Sequence, residues 1–278
     1  MNVAIEIVGK GILVPGAISV ATLFLLRRLL SPETSQRYAA AAAVATAFCA
    51  GYLLLPDWAA LVPKRHWHWT IYLAPAAALL GAVGLAGGIR PAERWLLWLL
   101  AAFVSAWLLV PAWANLHPPR PVCIGLLTGY LFLLAAALEP LAGRVGPATL
   151  LAPLTYASAC VALLIAASIS VTYAQAAVIA AAAMAGCWIA ACFTQTASAR
   201  GLGLVYSVVV GGWAFIGCIE PRKPAVGLLL AAAAPLGVWC CVWGPLSRLR
   251  GRGAWAVQTA VVLAVLAAAA VLVMAPVS

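Results

Sequence analysis

Apolar runs of about twenty residues follow one another from end to end of this chain, and nothing else in it restricts the possible folds so tightly. They lie near residues 11–30, 38–56, 70–88, 95–113, 122–142, 148–169, 173–193, 203–219, 225–244 and 255–277. A helix rises 1.5 Å per residue, so a run of this length crosses the roughly 30 Å of hydrocarbon in a bilayer. The breaks between runs hold Pro, Gly or charge: Ser31-Pro32, Pro63, Arg90-Pro91, Pro118-Pro119, Gly146-Pro147, Pro221, Pro224 and Gly244-Pro245. None is long enough to hold a soluble domain. Inside hydrocarbon the backbone must satisfy its own polar groups, and runs of this length do so as helices. The expected fold is all-α: a single integral membrane domain over residues 1–278, a polytopic transmembrane bundle of about 10 spans within a range of 8–10.

Composition agrees. Hydrophobic residues make up 66% of the chain and charged residues 8%, whereas soluble domains are about a quarter charged. A soluble fold could not cover its surface with so few charges; lipid removes the need.

The weakest break lies between the sixth and seventh runs. Only Ser168, Ser170, Thr172, Tyr173 and Gln175 mark it. A tight polar hairpin is the reading adopted, with a re-entrant pair as the alternative. Basic residues test the choice, because cytoplasmic loops collect Lys and Arg. With the N-terminus outside and ten crossings, the inner loops hold Arg27, Arg28, Arg37, Arg90, Arg94, Arg144, Arg200, Arg248, Arg250 and Arg252, ten of the sixteen basic residues. One crossing fewer at the weak break reverses every later helix and leaves eight of sixteen, with no bias. Both termini are therefore expected on the non-cytoplasmic side of a cell membrane, in a bacterium the inner one. Glu6 and Lys10 precede the first run and Arg27-Arg28 follow it, a pattern expected of a retained first helix rather than a cleaved signal.

The net charge of +10 sits in short clusters between runs. That placement favours anionic lipid headgroups, met by Arg27, Arg28, Arg248, Arg250 and Arg252, over nucleic acid. The eight cysteines all fall within apolar runs and read as small reduced core residues. Tryptophans at run ends (Trp58, Trp67, Trp69, Trp95, Trp113, Trp243 and Trp255) suit an interfacial belt. Pro75, Pro153 and Pro235 stand inside runs as expected kinks, and Gly81, Gly84, Gly87, Gly125 and Gly129 as close-packing positions. A faint parallel repeat relates 38–113 to 203–277: Pro56 and Pro221 are 165 residues apart, as are Pro111 and Pro276.

Few residues can carry chemistry. Glu33 and Glu93 lie among arginines as solvated partners, and Asp57 follows Pro56 at an interface. Glu139 and Glu220 each end an apolar run and precede proline. They read either as structural helix ends or as a coupled ion or proton site. Thr155, Tyr156 and Gln258 are polar residues within runs that could line a mid-membrane path or bond across helices. The segment Lys64-Arg65-His66-Trp67-His68-Trp69 alternates cations with tryptophans, as a segment lying among headgroups would. His66 and His68, with His117 on the same predicted side, also leave a metal reading open. Phosphate-loop, His-Glu-x-x-His, Gly-x-Ser-x-Gly and Cys-x-x-Cys patterns are missing from the sequence. No cofactor is expected, and an enzyme is the less favoured class. The expected function is a small secondary transporter or permease for a small-molecule substrate. The alternative is a non-catalytic membrane subunit, assembly factor or sensor domain acting through a partner. In size and crossing density the chain is similar to the drug/metabolite transporter superfamily. It carries no motif of that family, whose repeat is inverted, five helices on five.

Overall fold

The computed structural model describes residues 7–55, 62–86, 89–194, 199–219, 226–243, 246 and 251–275. Among these the secondary structure is entirely helical. The helices are α1 (Val8–Leu29), α2 (Pro32–Leu53), α3 (Thr70–Gly84, preceded by a 3-10 turn His66–Trp69), α4 (Pro91–Leu109), α5 (Arg120–Arg144), α6 (Pro147–Ser168), α7 (Val171–Phe193), α8 (Leu202–Ile219), α9 (Val226–Val242) and α10 (Gly251–Met274). Seven of them, α1, α4, α5, α6, α7, α8 and α10, are long and apolar enough to cross a membrane. The protein is a helical membrane protein.

Local chemistry sets the helix starts. Proline stands in the first turn of α2, α4, α5 and α6, where its missing N–H costs nothing. Ser31 accepts from the Thr34 N–H to cap α2, and the Glu93 carboxylate accepts from the Arg90 N–H at the start of α4. Glu93 thus bonds to backbone at its own helix end. Prolines also stand inside helices: α3 and α6 continue unbroken through Pro75 and Pro153, whereas Pro235 sits in a 3-10 stretch, Ala234–Val238, within α9. A π-turn, Ser207–Gly211, interrupts α8.

The weak break resolves into two full helices. α6 ends at Ser168, and α7 begins at Val171 with the Ser170 hydroxyl accepting from the Thr172 N–H. The two helices pack closely along their length, forming a helical hairpin whose arms are each long and apolar enough to cross a membrane.

Successive helices run in alternating directions, so the bundle has two ends. One end gathers the 62–69 turn, the 110–120 loop and the start of α7. His66 meets Trp113 at 5.5 Å between ring centres, and Trp67 meets Tyr173 at 4.8 Å. The other end gathers the 31–37, 89–94, 139–147 and 199–202 segments, with Leu85 and Arg37 beside Gly201. α1 lies parallel to α7: Pro15 faces Ile179 across Gly51, while Ser19 donates to the Ala183 carbonyl at 2.8 Å. α10 lies antiparallel to α9, with Leu272 beside Gly227 and Val261 beside Gly237. Both Val8 and Met274 therefore sit at the 110–120 end.

The core sits around α8, which is almost wholly buried, with Trp98, Trp213, Tyr52 and Tyr206 completely enclosed. Trp67 is also buried, so the expected belt loses that member, while Trp113, Trp243 and Trp255 are exposed at helix ends as expected. Trp58 lies outside the described residues. Of the cysteines, Cys192 and Cys240 are exposed rather than in the core, and none of the eight forms a disulfide. Gly81 and Gly84 do make close contacts, but Gly125 and Gly129 face open space, so their lack of a side chain serves no packing there. Gly87 is outside the described residues.

Candidate functional site

A large hollow opens at the 110–120 end. It has a volume of about 800 Å³ and lies between the 113–118 loop, the first turns of α5, the last turn of α8 and the first turn of α9. Its walls are mainly apolar (Leu126, Leu127, Phe215, Ile219, Val226 and Leu229), with Trp113, Asn115, His117, Cys123, Tyr130 and Cys218 supplying its polar and polarisable groups. The Tyr130 hydroxyl donates to the Leu229 carbonyl at 2.8 Å, tying α5 to α9 across the floor. Cys123 donates to the Pro118 carbonyl at 3.2 Å, which fixes the loop over α5. A pocket of this size with few placed polar groups is of the kind that holds a small organic molecule.

At the opposite end Glu139 closes the joint between α5 and the start of α8. Glu139 lies in α5 with only 7% of its surface exposed. Its two carboxylate oxygens accept from the Gly201 N–H at 3.0 and 3.1 Å, and Gly203 supplies a further backbone bond. These N–H groups stand at the start of α8, where a helix leaves donors without intrahelical partners and presents the positive end of its dipole. Glu139 is thus a cap delivered from another helix. The charges of Arg200 and Arg94 both act on it. Gly201 has φ of +75°, a backbone region that L side chains disfavour. At Gly203 an added Cβ would stand 3.3 Å from Glu139 Oε2, so the bare backbone allows the carboxylate's approach. Beside this closure Arg144 lies over the Trp239 ring at 5.1 Å, and the Trp239 indole donates to the Ala137 carbonyl at 3.0 Å. α5 and α9 are therefore joined at both ends.

The remaining expected residues do not converge on the large hollow. Thr155 donates to the Leu151 carbonyl of its own helix at 2.8 Å, and Tyr156 packs edge-on against Trp188. Gln258 is buried in α10, and its Oε1 has no hydrogen-bond partner among the described residues. His66 belongs to a different depression, with Lys64, Arg65 and Arg120, while His117 lines the large hollow. His68 is buried beneath Trp67. Burial, followed by the neighbouring His68 and Arg65 charges, lowers the His66 pKa to about 4, so it is neutral at pH 7. Burial and the Arg65 and Lys64 charges lower that of His68 too. Among the described residues no three His, Cys, Asp or Glu side chains come together as metal ligands would. Glu220, Asp57, Arg248 and Arg250 lie outside the described residues, as does the side chain of Arg252.

Sequence reading missed the residues that line the large hollow. Tyr130, Cys123 and Cys218 look like ordinary members of apolar runs, and nothing in their spacing marks them. Arg200-Gly201-x-Gly203 did carry a signal, since an arginine and two glycines at a helix start suit an anion. No family model, curated protein or solved structure matches this chain.

Proposed function

We propose that this protein is a small multi-pass permease of the cell membrane, in a bacterium the inner one, built from ten crossings. One observation carries the reading: a hollow of about 800 Å³ opens at one end of the bundle, and at the other the Glu139 carboxylate is buried against the start of α8. A carrier needs access from one side at a time, and a site walled by α5, α8 and α9 changes shape if those helices rock. The distribution of basic residues supports a cytoplasmic position for the Glu139 end, with both termini and the hollow facing outward. Glu139 is the latch of the inner gate, held by α8 and by Arg94 and Arg200. Glu220, expected just beyond α8, would stand at the mouth of the hollow. The mainly apolar walls favour a small, largely uncharged organic substrate. The parallel relation of 38–113 to 203–277 belongs to the same proposal: in both stretches three helices follow in alternating order.

The packed middle of the bundle favours a second reading, a non-catalytic membrane subunit, assembly factor or sensor. Thr155 and Tyr156 are spent on local packing rather than lining a path. The deciding experiment screens the purified protein by thermal shift against small aromatic and aliphatic metabolites. Any stabilising compound is then followed into proteoliposomes. Transport predicts uptake that Val226→Trp, which fills the mouth from an exposed position, reduces at least tenfold. A stabiliser that binds without uptake, or no stabiliser, sinks the permease in favour of the subunit.

A further inference from the structure

Two smaller cavities lie end to end on the pair α3 and α4, and together they have the shape of one amphiphile. The first is an open depression of about 290 Å³ at the 110–120 end, bordered by Lys64, Arg65, His66, Trp69, Trp107 and Arg120 among others. Among the described residues no carboxylate lines it. Two of its cations, Arg65 and Arg120, are held in place. The Arg120 guanidinium donates to the Trp107 carbonyl at 3.2 Å and the Val110 carbonyl at 3.4 Å, and lies over the Trp107 ring at 4.9 Å. Arg65 lies over the Trp67 ring, also at 4.9 Å. Arg120 has five N–H donors, and among the described residues two carbonyls leave three for a ligand.

The second cavity is an apolar slot of about 150 Å³ between α3 and α4, lined by Leu73, Ala76, Ala77, Leu97, Leu100 and Val104 among others. It begins one helical turn below the first: Leu73 follows Trp69 by four residues, and Val104 precedes Trp107 by three. From Leu73 to Leu80 it runs about 10 Å along the helices. Leu100 and Val104 are exposed on the outside of the bundle, so the slot opens sideways to lipid. Small residues on its walls (Ala76, Ala77 and Ala101) leave the groove that larger ones would fill.

From this juxtaposition we infer that the protein binds one anionic glycerophospholipid in a fixed site, its phosphate among Lys64, Arg65 and Arg120 and an acyl chain in the α3–α4 slot. Charge complementarity selects an acidic head, and tryptophans at headgroup depth are placed for the glycerol region. A free phosphate would use the first cavity and leave the second unexplained. The inference does not depend on transport.

Native mass spectrometry of the full-length protein in detergent tests it, with phosphatidylglycerol, phosphatidylcholine and glycerol phosphate as probes. The wild type is expected to hold one phosphatidylglycerol in preference to phosphatidylcholine, and glycerol phosphate is expected not to displace it. Each basic residue near an anionic surface is worth about fivefold in binding, so Lys64→Gln with Arg65→Gln is expected to weaken phosphatidylglycerol roughly tenfold or more and to leave phosphatidylcholine unchanged. Ala76→Phe, an exposed position in the slot, is expected to weaken the lipid without changing the melting temperature. Equal retention of the two lipids by the wild type overturns the inference, and that arm needs no variant. Displacement by glycerol phosphate overturns it in favour of a free-anion site. Full retention by either variant overturns the half of the site it alters.

Discussion

Glu139 shows how one residue can look like a site and act as a joint. Its carboxylate is buried, yet it accepts from α8 backbone donors that have no partner of their own. Removing it strands those donors inside the protein, a loss of about 1–3 kcal/mol. Glu139→Ala is therefore expected to lower the melting temperature in detergent clearly. Glu139→Gln keeps one acceptor and is expected to fall between; equal melting of Ala and wild type would contradict the cap. His66 makes a second residue-scale prediction. Its pKa falls from an ordinary 6.5 to about 4, so the folded state binds fewer protons than the unfolded state between those values. Stability from the neutral ring is complete above pH 6.5 and is lost as pH falls toward 4. Unfolding measured from about pH 7 down to about pH 4.5 should show this loss, and His66→Gln should flatten it.

At the scale of elements, α1 and α7 approach each other closely at Gly186. A Cβ placed on Gly186 would stand 2.4 Å from the Gly16 carbonyl oxygen and 2.9 Å from the Ser19 Cβ. Because backbone lies in the way, the helices themselves would have to part. Membrane helices depend on such close approach for their association. Gly186→Ala is expected to cost about 1–3 kcal/mol by overpacking, read as a drop in melting temperature or in monodisperse yield. Gly125→Ala, where nothing lies within 4 Å, is the control and should be silent. Sequence alone could not separate these glycines: both sit in small, apolar stretches, and only the neighbouring helix decides which one is needed. The α6–α7 hairpin was legible by contrast, since 148–193 is too long for one crossing and Ser168 and Ser170 are its main interruptions.

For the whole molecule, the two ends differ in chemistry, and that difference gives a sided prediction. Cys123 and Cys218 line the open hollow, while Cys187 is completely enclosed. In sealed cells a membrane-impermeant maleimide should label a variant retaining only Cys218 from outside. It should leave one retaining only Cys187 unlabelled until the membrane is dissolved. Labelling of Cys218 only from the inner face would invert the proposed orientation.

The solvent, the helices and most of their limits are written locally in the chain, because run length, proline at helix starts and scarce charge are properties that a bilayer reads directly. Glu139 and the Lys64–Trp69 segment also stand out there as unusual. Their partners do not: Gly201 is 62 residues from Glu139, and Arg120 joins Arg65 only through the packing of a loop against α4 and α5. In an apolar chain nearly every segment is equally content against lipid or against protein, so hydrophobicity does not say which faces meet. Steric fit between small and large side chains decides that, and it is this packing that places an open hollow at one end and a buried carboxylate at the other.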